Sequence, residues 1–383
     1  MRTLNLKWML STTLLCFLAT AAVGGGLAIA GEQIRIGFTP PITGGSAAEG
    51  ALQTKALKIA LKEINESGGV NGKQINLIYV DNQSTNPGAL AALQRAVEQE
   101  KVLALVGVVK STQILAMSDA IKNYAVPTMI GGTNALLTRQ GNPWLFRVRP
   151  DDTIAAAAMV KYVKEDTTMT KIGILHDSDA FGTGGADLVE KTAKEMGLTL
   201  VRRDKYTTGT RDYTAQLLAL KNVGAEIMIL YATNPEDVAV IMRQYRQLGS
   251  PFKYLGSPSS GNRDALNLAK ELAVGLLAVN DFTPGTPEII KYAEAYKKEF
   301  GEVYDAANAW SHDGLNILVN AIRKGGEDRA KIREAILATQ GYKGVLGTFN
   351  FTPNGDGLSA VSICEIQPGN QFKLVKVVNV TAK

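Results

Sequence analysis

Apolar positions along the chain alternate between two spacings, one helical and one strand-like, and the switch is plainest from Ala56 to Asp81. Leu57, Ala60, Leu61 and Ile64 fall on one helical stripe, and Gly68-Gly69 supplies its stop. Asn71-Gly72 then forms a tight turn, because both residues tolerate positive φ, and Ile75, Leu77 and Tyr79 alternate as a strand ending on Asp81. That is half of a βαβ unit. The same rhythm predicts strands over 34–39, 102–109 and 126–130 and helices over 87–99 and 111–124, with 102–109 apolar enough to be covered on both faces. After residues 144–150 a second series begins, with helices over 153–165, 185–196, 213–222 and 235–248 and strands over 171–176, 198–205, 226–231 and 252–256. Strands alternating with helices at this spacing predict parallel, doubly wound α/β sheets, and two such series predict two similar lobes. Residues 288–339 read as mostly helical, 345–351 as strand, and 360–366 with 372–380 as a closing strand pair.

The first thirty residues change the picture, because they read as an export signal. Arg2 and Lys7 form a basic start, Trp8 to Ala22 an apolar stretch, and Ala28-Ile29-Ala30 a small-x-small cleavage site before Gly31. A membrane anchor is the competing reading, but three consecutive glycines and the cleavage triplet favour removal. Lipidation at Cys16 is not expected, since Leu15 stands where a small residue belongs and the apolar run before it is short. Residues 1–30 carry two positive charges and no acid, so their removal lowers the formal charge from +5 to +3. That surplus is dispersed and gives no electrostatic case for nucleic acid. Only Cys364 remains, which excludes an intramolecular disulfide, so stability must come from cores that 45 % hydrophobic residues can fill. A monomer exported to the periplasm is expected, with no cofactor.

Catalytic chemistry finds little support. His176 and His312 belong to no metal-spaced cluster, Gln74 stands where a phosphate loop needs Ser or Thr, and no G-x-S-x-G elbow occurs. Binding fares better. The strand over 102–109 runs into Lys110-Ser111-Thr112 at a helix start, where Ser111 suits an N-cap and the first-turn N–H groups form an anion site. The strand over 126–130 runs into Gly131-Gly132-Thr133-Asn134, which lets a ligand approach backbone and sets the Thr133 hydroxyl beside Ser111 if the two strands are neighbours. Capping alone explains most Ser and Thr at such places.

On these motifs, together with the Gly-Gly turn, Leu137-Thr138, Phe146-Arg147 and the segment IGILHDSDAFG ending at Gly182, the chain resembles the solute-binding proteins that feed branched-chain amino acid ABC transporters, the type I periplasmic binding proteins. The resemblance spans the chain beyond residue 30. It implies two doubly wound parallel-sheet lobes joined by a three-stranded hinge, residues 31–150 plus 281–353 and residues 151–280 plus 354–383. It implies a ligand α-carboxylate held by Ser111, Gly131 and Thr133, with Phe181 and Thr233 as cover from the second lobe, and a membrane permease as partner; Thr112, next to Ser111, is a further candidate ligand contact. The ligand expected from it is a hydrophobic amino acid. Two departures bear on that ligand. Ser257-Pro258-Ser259 occupies the region where such proteins place an acid for the α-ammonium, and the first loop carries Glu49 instead of an aromatic. A buried carboxylate needs a partner, so Glu49 either faces water or meets a cation or donor. Oxo acids, aromatic carboxylates and amides therefore remain alternatives to amino acids, as does a sensory subunit to a transporter.

Overall fold

The computed structural model describes residues 32–379; the export signal, its cleavage site and Cys16 lie outside the described residues. From the N-terminal side the order is β1 (Gln33–Phe38), α1 (Ala47–Glu66), β2 (Gln74–Tyr79), α2 (Asn86–Gln94), β3 (Ala104–Val106), α3 (Ser111–Tyr124), β4 (Thr128–Ile130) and β5 (Leu145–Arg147). A π-helical turn, Arg95–Gln99, continues α2. These strands form one parallel sheet in the order β2-β1-β3-β4-β5.

The second series is α4 (Asp152–Asp166), β6 (Lys171–Asp177), α5 (Ala180–Glu195), β7 (Thr199–Tyr206), α6 (Thr214–Asn222), β8 (Ile227–Tyr231), α7 (Pro235–Gln247), β9 (Lys253–Gly256), α8 (Arg263–Ala269) and β10 (Leu277–Asn280). Helices α9 (Pro287–Phe300), α10 (Trp310–Gly325) and α11 (Arg329–Leu337) follow, then the short hairpin β11 (Tyr342–Lys343) and β12 (Thr348–Phe349), and last β13 (Ala360–Gln367) and β14 (Gln371–Asn379). The second sheet runs β14-β13-β10-β9-β8-β6-β7; its inner strands are parallel, and β13 and β14 join as an antiparallel edge.

Each sheet is sandwiched between helical layers, as a parallel sheet with two apolar faces requires. On the first, Leu57 of α1, Ile289 of α9, Leu318 of α10 and Ile336 of α11 share one core with Ile36 and Val106, while Leu93 and Ile114 cover the opposite face. On the second, Leu217, Met242 and Leu266 pack on one face and Met159 and Val189 on the other. The chain therefore returns to the first sheet for α9–α11 and to the second for β13–β14. The doubly wound α/β class matches the sequence reading; the strand predicted over 345–351 shrinks to β12. Asp313 explains the rest of that segment, because its carboxylate accepts the N–H groups of Val345 and Leu346 at 2.9 Å each and holds them in a loop.

Helix α5 starts five residues earlier than its predicted 185. Asp179 caps it by accepting Gly182 N–H at 2.7 Å, and the glycines read as a loop are places of close approach. A Cβ on Gly185 would sit 2.1 Å from the Tyr231 ring. Among the described residues no helix is long and apolar enough to cross a membrane.

Candidate functional site

Parallel strands β3 and β4 are neighbours, so the segments leaving their carboxyl ends meet at one edge of the first sheet. There they border a cleft of about 360 Å³, solvent included. Its first wall holds Glu49 from α1, Lys110 and Ser111 at the start of α3, Thr133 beyond β4, and Arg149 beyond β5. Phe181 on the first turn of α5, Thr233 beyond β8, and Ser259 and Asn262 beyond β9 face them. Of the residues singled out from sequence, Glu49, Ser111, Thr133, Phe181 and Thr233 are thus brought together. Thr112 and Gly131 do not line the cleft. Gly131 does permit a close approach, but by the Trp310 indole, 2.8 Å from where a Cβ would be, and its carbonyl accepts from Arg149 Nη1 at 3.1 Å.

Ser111 is not the N-cap of α3. Lys110 holds that position in an extended conformation with no side-chain cap, and Ser111 is the first helical residue. Its hydroxyl, free of capping, accepts Asn134 N–H at 3.3 Å and so ties α3 to the loop carrying Thr133. The unpaired first-turn N–H groups of α3 and the positive end of its dipole point at the same place, which favours an anion there.

Glu49 borders the cleft but does not face bulk water. It is 2 % exposed, and its Oε2 lies 2.9 Å from Lys110 Nζ. Burial pulls the Lys110 pKa down, but the Glu49 charge outweighs it and leaves the ammonium held more firmly than usual. Lys110 Nζ also donates to the Thr233 carbonyl at 3.1 Å, and Asn134 Nδ2 donates to the Ala180 carbonyl at 2.6 Å, so two hydrogen bonds cross the cleft. Arg149 is likewise engaged, with its Nε paired to the buried Asp281 carboxylate. Lys110, Arg149, Ser259 and Asn262 were not singled out from the sequence as binding residues. The sequence holds signals for two of them: Lys110 directly precedes Ser111, and Ser259 lies in the segment where the proteins it resembles place their ammonium-binding acid.

Residues 33–371 match the model of the periplasmic binding protein family. The chain belongs to that family. The leucine-, isoleucine-, valine-, threonine- and alanine-binding protein of Pseudomonas aeruginosa is 25 % identical over 347 residues, covering 89 % of this chain and 91 % of that protein. A crystal structure of a leucine-binding protein from Thermotoga maritima superposes with a TM-score of 0.83 at 28 % identity, over 90 % of this chain and 99 % of the other. The same TM-score, 0.83, at only 16 % identity relates it to an ABC-transporter solute-binding protein from R. palustris in complex with benzoate, over 92 % and 98 % of the two chains; that likeness is one of fold. As a periplasmic binding protein of the type that serves ABC transporters, the chain is a binder and not an enzyme.

Two further acids adjoin the cleft of this binding protein. Asp264 is buried, and that burial together with the Glu49 charge pushes its pKa up to about 7, against the pull of Lys110. Asp152, whose N–H donates to the Thr133 carbonyl at 2.8 Å, is pushed up to about 8 by burial, opposed by Arg147. A carboxyl with a raised folded-state pKa favours the protonated fold, so the contribution of each of these two groups to stability is greatest below about pH 4 and falls as pH rises towards its folded pKa, by up to about 1.4 kcal/mol per pH unit. Asp152→Asn should flatten that fall. Urea unfolding at pH 5 and pH 8 should show a smaller difference in the variant than in the parent protein; an equal difference would mean that Asp152 is ionised throughout.

Proposed function

We propose that this binding protein captures a small carboxylated solute between two lobes and delivers it, as an exported monomer, to the membrane permease of an ABC importer. The two lobes of this reading are residues 31–150 plus 281–353 and residues 151–280 plus 354–383, and the hydrogen bonds of Gly355 and Gly357 to Arg147 of β5 support a last crossing slightly later than 354. The observation that carries this reading is the convergence of the α3 N-terminus, Ser111, Thr133 and two cations on one wall of a cleft whose other wall offers Phe181 and Thr233. Contacts made by both walls favour the closed form, and only such differential contacts can drive closure.

Hydrophobic amino acids are the solutes suggested by the names of the relatives. A carboxylate without an ammonium group is the second reading, favoured by the Lys110–Glu49 pair. A thermal-shift screen over amino acids, oxo acids, aromatic acids and amides tests the proposal, since a ligand at a hundred times its Kd adds about 2.7 kcal/mol. Ser111→Ala should then weaken the best ligand by roughly 1.5–3 kcal/mol, the worth of a hydrogen bond to a charged group. The fold should lose only about 1 kcal/mol, because Ser111 caps nothing and gives up one long hydrogen bond from Asn134 N–H. Unchanged affinity in calorimetry would move the carboxylate away from α3.

A further inference from the structure

We infer that Lys110 stands where an amino acid's ammonium would sit, so that the cleft selects small monocarboxylates that carry no α-ammonium. This rests on the proposed carboxylate site and names its ligand class. An ammonium entering the cleft needs an anion and, beyond it, neutral acceptors. The cleft has such a place, formed by Glu49 Oε2 from one wall and the Thr233 carbonyl from the other. Lys110 already fills it, 2.9 Å from the first and 3.1 Å from the second. A ligand ammonium would have to displace a tethered one, and the displaced Lys110 head would be left as an unpaired charge in the same enclosed space.

The other acids offer no direct substitute: Asp264 and Asp152 adjoin the cleft but are not part of its lining. Asp281 is taken by Arg149, and Ser257-Pro258-Ser259 presents hydroxyls where a carboxylate would be needed. The lining itself carries two cations, Lys110 and Arg149, and one acid, Glu49, while Asp281, the counter-ion of Arg149, lies behind it outside the lining. A bare carboxylate complements that balance; a zwitterion does not. Phe181, tilted against the Tyr231 ring with centroids 5.3 Å apart, supplies a fixed apolar face for the rest of the ligand.

Calorimetry on the mature protein with matched pairs tests this: leucine against 4-methyl-2-oxopentanoate, and phenylalanine against phenylpyruvate and benzoate. At least one ammonium-free acid should bind ten or more times more tightly than its amino-acid counterpart. Lys110→Met frees Glu49, and should reverse that order. If the single variant does not fold because Glu49 is left buried and unpaired, Lys110→Met with Glu49→Gln removes both charges, and the preference within each pair should collapse towards one. The inference is overturned if the parent protein binds the amino acid of every pair more tightly, or if the variants keep the parent's ratio; the carboxylate reading survives either result. Should no acid of either kind bind, the inference and the carboxylate reading fall together.

Discussion

Replacing Arg147 with methionine should destabilise the fold by about 3–5 kcal/mol, the cost of breaking a buried charge network from one side. The Arg147 side chain is wholly buried and uses every arm of its guanidinium. Its Nε donates to Asp356 Oδ1 at 2.8 Å, its Nη2 to Thr138 Oγ1 at 2.9 Å, and its Nη1 to the carbonyls of Gly132 and Asn134 at 3.0 and 2.9 Å. Methionine fills much of the volume but leaves a buried carboxylate and two carbonyls short of a donor. Those carbonyls flank Thr133, so ligand affinity should fall along with stability. Urea unfolding should show a lower midpoint at an unchanged slope, which marks a loss of stability rather than a change of denatured state. Arg147→Lys should recover only part of the loss, because an ammonium cannot span four acceptors arranged for a planar fork. A loss below about 1 kcal/mol, the ordinary worth of one hydrogen bond, would mean that the loop around Thr133 holds its shape without the arginine.

The parts of this architecture that a single sequence discloses are those written in short-range periodicity. Leu57, Ala60, Ile64, Ile75 and Leu77 are buried where their spacing put them, because a one-residue slip would turn every one of them out of the core. The meeting of Ser111 and Thr133 was legible for a related reason: neighbouring parallel strands deliver their carboxyl-terminal segments to the same edge. Strands β5 and β10 are not disclosed by the sequence pattern, although β3, β4 and β9 are as short. They exist because neighbouring strands supply the hydrogen bonds that their own sequence does not demand. Glycine ordinarily signals a break, so the sequence pattern starts α5 only at 185, whereas close packing against Tyr231 overrides that propensity. The charge partners were the least accessible. Nothing near Glu49 in sequence announces Lys110, and Arg149 lies 132 positions from Asp281. Such pairs follow from the assembled fold, yet they decide what charge the cleft has left to offer a ligand.

Asp281→Asn should accordingly move stability and binding in opposite directions. Asp281 is 3 % exposed, and burial raises its pKa against the opposing charge of Arg149. Without the carboxylate's charge, Arg149 retains its bond to the Gly131 carbonyl but loses its counter-ion, at about 3–5 kcal/mol for a buried pair broken from one side. Arg149 lines the cleft, so a ligand carboxylate can take the place of the lost counter-ion. Couplings between close, desolvated charges run upwards from about 1.5 kcal/mol, and affinity for the best carboxylate should improve by at least that much. Thermal unfolding with and without ligand reads both effects at once: a lower Tm for the free variant, and a larger ligand-induced rise than in the parent. If the variant instead loses stability and affinity together, Arg149 does not reach the ligand, and the carboxylate is held by the α3 terminus, Ser111 and Thr133 without it.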